Sequence, residues 1–253
     1  MLNSVVNFRP VLDSGRLRMG SLFRSGNCGN ITNSDAQHVA STCGIRTVID
    51  LRSDSERQRL GNLQALTRRG VHCLNRPLDM DPRFRDLNEV EAWDYVRLYL
   101  HIVKLNRSTL ADIITVVATP GAAPLLITCG MGKDRTGVVC GLLLGLIGAS
   151  DEEIADDYAR SGPPLSACLE RFRVHWLRRG ITREAYARRL TCDRAIMHAW
   201  CQRIRHADVR WDAVIRELGL PDTIIDGLAR NLLAPGISSD RILGRAPTAA
   251  VSG

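Results

Sequence analysis

The sequence predicts an α/β domain in which a small central sheet is flanked by helices and the C-terminal half is rich in helix. Three observations carry this. Gly44-Ile-Arg-Thr-Val-Ile-Asp50-Leu51 crowds β-branched residues between a glycine and a polar run, as a short buried strand does. Pro124-Leu-Leu-Ile-Thr128 is a second brief apolar run, followed by a glycine-containing loop, Cys129 to Asp134, and an almost wholly apolar helix over Thr136 to Leu146. Beyond Gly148 one helical pattern follows another as far as Leu233. At 253 residues, 45% of them apolar, the chain is long enough for one large domain to bury about 70–75% of its unfolded surface without disulfide staples.

Taken in order, Asn33 or Ser34 is placed to cap a helix that stops at Gly44, just before the first strand. Val71 to Asn75 is a further strand candidate. From Asn88 to Leu105 the apolar positions Val90, Trp93, Val96, Leu98, Tyr99 and Ile102 fall on a helical face, and Thr109 to Ala118 continues as a second helix. Together 85–118 reads as a helical lid. Ser150-Asp-Glu-Glu153 is a capping box for a helix to Arg160. Helices are expected over Pro164–Arg179, Arg183–His206, Ala207–Leu218 and Pro221–Leu233, the last with proline in its first turn. The expectation is a single domain over 1–235, with 236–253 a flexible tail.

Charge and cysteine content narrow the classes of function. The net charge of +7 comes almost entirely from arginine, since Lys104 and Lys133 are the only lysines. A positive field attracts phosphates of every kind. Dispersed arginines with only 5% aromatic residues argue against a base-stacking nucleic-acid surface. The eight cysteines include no CxxC pair, which suits reduced, buried thiols rather than a zinc knuckle or a disulfide framework. His198, Cys201 and His206 lack a fourth partner at metal-site spacing, so no metal or other cofactor is expected. With no apolar run of signal-peptide or membrane-spanning length, the expected location is cytoplasmic.

The loop Cys129-Gly-Met-Gly-Lys-Asp-Arg135 carries the chemistry. A cysteine and an arginine separated by five residues let a short loop curl around a tetrahedral oxyanion. Spacing alone is weak, because chance gives about one such pair in a chain with eight cysteines and this many arginines. Context is stronger: the loop joins a buried strand to a helix N-terminus, where backbone N–H groups and the helix dipole favour an anion, and Gly130 and Gly132 let it turn. There Cys129 is stabilised as a thiolate nucleophile. Arg135 offers a planar fork to two phosphoryl oxygens, and Thr136 can donate to the departing sulfur. Lys133 adds charge, and Asp134 can move a proton. Gly130 to Thr136, including Met131, are thus the phosphate-binding candidates. Asp134 in place of Ser or Thr after Gly132-Lys133 rules against a Walker A loop, and the glycine spacing fails as a dinucleotide fingerprint.

Ile127-Thr-Cys-Gly-Met-Gly-Lys-Asp-Arg-Thr-Gly137 resembles the signature loop of the cysteine-dependent tyrosine phosphatases, in particular their bacterial atypical tyrosine and phosphoinositide branch. Leu22-Phe-Arg-Ser-Gly26, Gly44 to Ser53 and Asp157-Tyr-Ala-Arg-Ser161 agree with it, so the likeness runs from Leu22 to Leu233. The resemblance implies a phosphatase α/β fold and metal-independent hydrolysis through a cysteinyl-phosphate, with inorganic phosphate bound in the loop. Asp134 is the first choice for the acid. Asp50 is a candidate to orient Arg135, Asp79 and Asp81 follow the second strand where related enzymes place an acid, and Arg24 is a supporting candidate. Two departures stand out: Thr128 replaces the usual histidine, and Gly130-Met131 replaces the usual larger or alanine residues.

Substrates implied are phosphotyrosine proteins or phosphoinositides. Competing readings are a phosphatase of a small metabolite or nucleotide, a non-catalytic phosphate-binding module, and a sulfur-transfer or redox enzyme. The last is disfavoured by the absence of a resolving cysteine beside Cys129.

Overall fold

Strand β5, Leu125–Thr128, is fully buried and lies at the centre of the sheet. Its neighbours are β2, Leu22–Ser25, and β3, Thr47–Asp50, both parallel to it. Beyond β3 lies parallel β4, His72–Asn75, and beyond β2 lies the short antiparallel β1, Arg9–Pro10. Strands covered on both faces are largely apolar, and the apolar side chains divide by period two. Leu22, Ile49, Leu125 and Ile127 enter the larger core, whereas Phe23, Val48 and Leu126 enter a smaller one with Ile31, Val39, Leu66 and Val71. The register brings Ser25, Thr128, Asp50 and Asn75 side by side, so the parallel strands end together on one edge. Crevices beyond such carboxyl ends are where open α/β sheets bind ligands.

The computed structural model describes residues 2–12, 14–81, 92–205 and 211–237. Its α-helices are α1 (Asn33–Gln37), α2 (Asp54–Leu60), α3 (Gln64–Thr67), α4 (Ala92–Leu105), α5 (Arg107–Ala118), α6 (Asp134–Leu146), α7 (Asp151–Ala159), α8 (Gly162–Ala167), α9 (Arg173–Arg179), α10 (Arg183–Leu190), α11 (Arg194–Ile204), α12 (Trp211–Glu217) and α13 (Ile224–Leu232). Helix α6 is buried from Arg135 to Leu146. A Cβ at Gly141 or Gly145 would fall 2.8 Å from the ring of Trp200 or 2.2 Å from that of Trp211, so these glycines form the groove that seats both indoles.

Several expectations are corrected. Thr32, rather than Asn33 or Ser34, caps α1 by accepting the Asp35 N–H, and a π-helical turn, His38–Thr42, continues it. Pro164–Arg179 is divided into α8, a 3₁₀ turn (Leu169–Phe172) and α9, because burying both Leu169 and Phe172 redirects the chain. The helix expected over Arg183–His206 breaks at 191–193, where Cys192 turns inward and Asp193 caps α11 through the Ala195 N–H. Helix α13 begins at Ile224, after a turn that contains Pro221. Of the segment expected as a lid, 85–91 lies outside the described residues. The remainder forms α4 and α5, with Tyr99, Ile102, Leu110 and Ile113 fully buried in the main core. His206, 207–210 and the tail from 238 also lie outside the description.

All eight cysteines are free thiols. Among the described residues no helix is long and apolar enough to cross a membrane.

Candidate active site

The loop after β5 and the N-terminus of α6 hold Cys129, which is buried and 3% exposed. The Gly132 N–H donates to its sulfur at 3.3 Å. Gly132 has φ +70°, and a Cβ there would meet the Ser25 carbonyl at 2.5 Å, so the turn requires glycine. Its carbonyl accepts from Arg24 Nη2 (2.7 Å) and Asn7 Nδ2 (2.9 Å). Arg24 therefore clamps the loop backbone from β2. Asp157 on α7 neutralises it at 2.6 Å and binds Arg9, also at 2.6 Å. Replacing Asp157 with asparagine leaves the fully buried Arg24 charge uncompensated. The expected loss is about 3–5 kcal/mol of unfolding free energy, read by urea denaturation.

Arg135 is oriented by Glu56, a residue the sequence reading did not single out. Arg135 Nη1 and Nη2 bond the two Glu56 oxygens at 2.7 and 2.6 Å, and Nη1 also reaches the Leu51 carbonyl at 3.0 Å. Three of five guanidinium donors are thus used, leaving the Nε–H and one Nη2–H as a second fork on the adjoining edge. Burial disfavours the Arg135 charge, but the Glu56 hydrogen bonds and the nearby Cys129 outweigh it and raise the arginine above its ordinary range. Glu56 is fixed by its own helix end, in a reciprocal capping box with Ser53 at the start of α2. Ser53-x-x-Glu56 was the available signal. Asp50, the candidate partner of Arg135, instead pairs with Arg52 at 2.6 Å.

Burial raises the Glu56 pKa, but Arg135 and the Ser53 contacts more than offset this and bring it down to about 2 from an ordinary 4.5. A depressed carboxylate contributes stability above its unfolded value and loses it as pH falls through its folded one. Glu56→Gln is therefore expected to flatten the acid limb of the stability curve between about pH 4.5 and about pH 2, as read from thermal midpoints across that range.

Lys133 does not lie free beside the loop. Its ammonium donates to the Arg189 carbonyl near the end of α10 at 2.6 Å and sits 4.1 Å from the centre of the Tyr95 ring, with Asp134 at 3.8 Å. Asp134 Oδ1 accepts the Tyr99 hydroxyl at 2.7 Å, and Tyr99 contacts the Tyr158 hydroxyl at 2.7 Å. The two buried tyrosines thus hold Asp134 from the core side. The Thr136 hydroxyl is buried without a partner. Thr128 Oγ1 donates to the Gly26 carbonyl at 2.6 Å, which ties β5 to the turn after β2. Gly130 accepts the Asn27 N–H at 3.0 Å, and Met131 packs against the main core. Asp81 is buried, with His101 Nε2 at 3.4 Å. Asp79 is exposed, its backbone N–H held by Asn106.

The loop thus brings a buried thiol in a glycine turn at a helix N-terminus beside an arginine with one fork fixed and another open, an arrangement that could hold a tetrahedral oxyanion. The chain belongs to the tyrosine phosphatase family, whose profile its residues 1–234 match. It is 27% identical over 157 residues to a tyrosine-protein phosphatase of Nostoc commune, covering 60% of this chain and 52% of that one. It is 28% identical over 185 residues to the triple specificity protein phosphatase PtpB of Mycobacterium tuberculosis, covering 61% and 66%. The chain thus spans about half to two thirds of the length of the curated relatives it matches. Similar solved structures include the core catalytic domain of the PP-IP phosphatase SIW14 from S. cerevisiae, at 20% identity, TM-score 0.40 and coverage of 61% and 75%. P. aeruginosa TpbA is another, at 16% identity, TM-score 0.38 and coverage of 84% and 97%.

Proposed function

We propose that this chain is a metal-independent phosphomonoesterase acting on phosphotyrosine- or phosphoinositide-type substrates through a cysteinyl-phosphate. The observation that carries the reading is the open Nε/Nη2 edge of Arg135, held by Glu56 in the loop that presents Cys129. In the first step the Cys129 thiolate attacks phosphorus, a P–S bond forms, the P–O ester bond breaks, and Asp134 gives a proton to the leaving oxygen. In the second, water attacks phosphorus, Asp134 takes its proton, and the P–S bond breaks to release inorganic phosphate and the thiolate. Arg135, the loop N–H groups and the α6 dipole follow the phosphoryl oxygens through both steps. Thr136, whose hydroxyl has no other partner, donates to the sulfur as it leaves.

Asp134 suits the acid role because it lies in the loop itself and is braced by Tyr99, whereas Asp81 faces His101. The test is phosphate release in EDTA from an aryl phosphate, a phosphotyrosine peptide, phosphoinositides and nucleoside monophosphates. The expected result is EDTA-resistant release, fastest from the aryl, peptide or inositide esters. Preference for the nucleotides would favour a small-metabolite phosphatase, and phosphate binding without turnover of any ester would favour a non-catalytic module.

A further inference from the structure

Helix α9 carries an exposed face that the proposed chemistry does not use. Val174 is 53% exposed and Leu177 62%, among the few large apolar side chains so open to solvent in the described residues. At about 3.6 residues per turn, Arg173, Leu177, Val174 and Arg178 follow one another around the helix. The apolar pair is thus flanked on each side by an exposed arginine. An apolar strip edged by cations is the pattern of a helix lying in a lipid–water interface. The opposite face is anchored: Trp176 and Phe172 are buried against Tyr186 of α10. The nearby acid, Glu170, is already paired with Arg183. Burial first, then the charges of Arg59, Arg179 and Arg178, lower the pKa of His175 beside this face.

The face lies on elements that adjoin the loop carrying Cys129. Arg59 belongs to α2, which also carries the Glu56 that grips Arg135. Helix α10, on which α9 packs, supplies the Arg189 carbonyl that holds Lys133. We propose that α9 is an interfacial anchor that docks this protein on an anionic bilayer surface, with Val174 and Leu177 entering the headgroup region and Arg173 and Arg178 meeting lipid phosphates. The inference rests on the phosphatase reading only in its consequence, that phosphoester headgroups are met at the surface where they lie. The docking itself needs no catalysis.

The experiment is co-sedimentation of the full chain with vesicles of phosphatidylcholine alone and of phosphatidylcholine mixed with phosphatidylserine. It is run for the wild type, Val174→Ser/Leu177→Ser, Arg173→Gln/Arg178→Gln and Cys129→Ser, with soluble aryl phosphate turnover measured alongside. The wild type is expected to bind the anionic vesicles and to be released by salt. The arginine pair should weaken binding on the order of tenfold to thirtyfold, from roughly fivefold per cation, and the serine pair should abolish it. Both α9 variants should turn over the soluble ester as the wild type does, and Cys129→Ser should bind vesicles normally. No binding by the wild type, or binding unchanged in both α9 variants, overturns the proposal. So does a wild-type dimer that only the serine pair dissociates, since the face would then belong to a second copy. A failed phosphatase reading would show separately, as absent aryl phosphate turnover.

Discussion

Cys129→Ser is expected to lower kcat for aryl phosphate on the order of 10⁴-fold or more, the scale seen when a covalent nucleophile is removed. The Gly132 N–H donates to this sulfur, which in the proposed mechanism is the attacking nucleophile. A serine hydroxyl keeps its proton at neutral pH, and among the described residues the group bonded to the sulfur is the Gly132 N–H, which is a donor and not a base. The loop amides and the open fork of Arg135 are untouched, so inorganic phosphate should still bind the variant. Steady-state kinetics with isothermal titration separates the two effects. A variant within about tenfold of the wild type in kcat would remove Cys129 from the mechanism.

Arg135→Lys is expected to cost about 10³-fold in kcat/KM, within the range attributed to an arginine that stabilises a phosphoryl transition state. The guanidinium spends one edge on both Glu56 oxygens and the Leu51 carbonyl while offering a second edge to phosphate. An ammonium has three donors and no planar fork, so it cannot keep Glu56 in place and grip two phosphoryl oxygens at once. The loss should fall on both kcat and KM, because the fork meets the ground state as well as the transition state. A lysine variant that retained kcat with only KM raised would make Arg135 a uniform binding group.

The features legible in the sequence were those written locally. Strands β3 and β5 are compact, fully buried runs built on Val48, Ile49, Leu125, Leu126 and Ile127, and α6 is buried around its whole circumference from Arg135 to Leu146. Cys129 and Arg135 are separated by only five residues, so seven residues of text contain both. Strand β2 escaped notice because Arg24 interrupts its four residues, and only the fold brings Asp157, 133 residues away, to pair with it. Glu56 was missed for the same reason: it lies 79 residues from the arginine it orients. Asp50 was the plausible partner from its strand end, yet Arg52, two residues on, takes its carboxylate. Tyr99 was read as one apolar position on a helix, and its hydroxyl acquires a task only when α4 packs against α6. The breaks within the long C-terminal helices are likewise tertiary, set by where Leu169, Phe172 and Cys192 are buried.

The central claim is that phosphate passes through a covalent bond to one sulfur. Rapid acid quench of the enzyme with a radiolabelled aryl phosphate, followed by peptide mapping, tests it most directly. The expected result is label on the peptide containing Cys129, appearing within the first turnover, decaying when substrate is exhausted, and absent from Cys129→Ser. Turnover with no labelled protein at any quench time, or label on another residue that persists in Cys129→Ser, would contradict it.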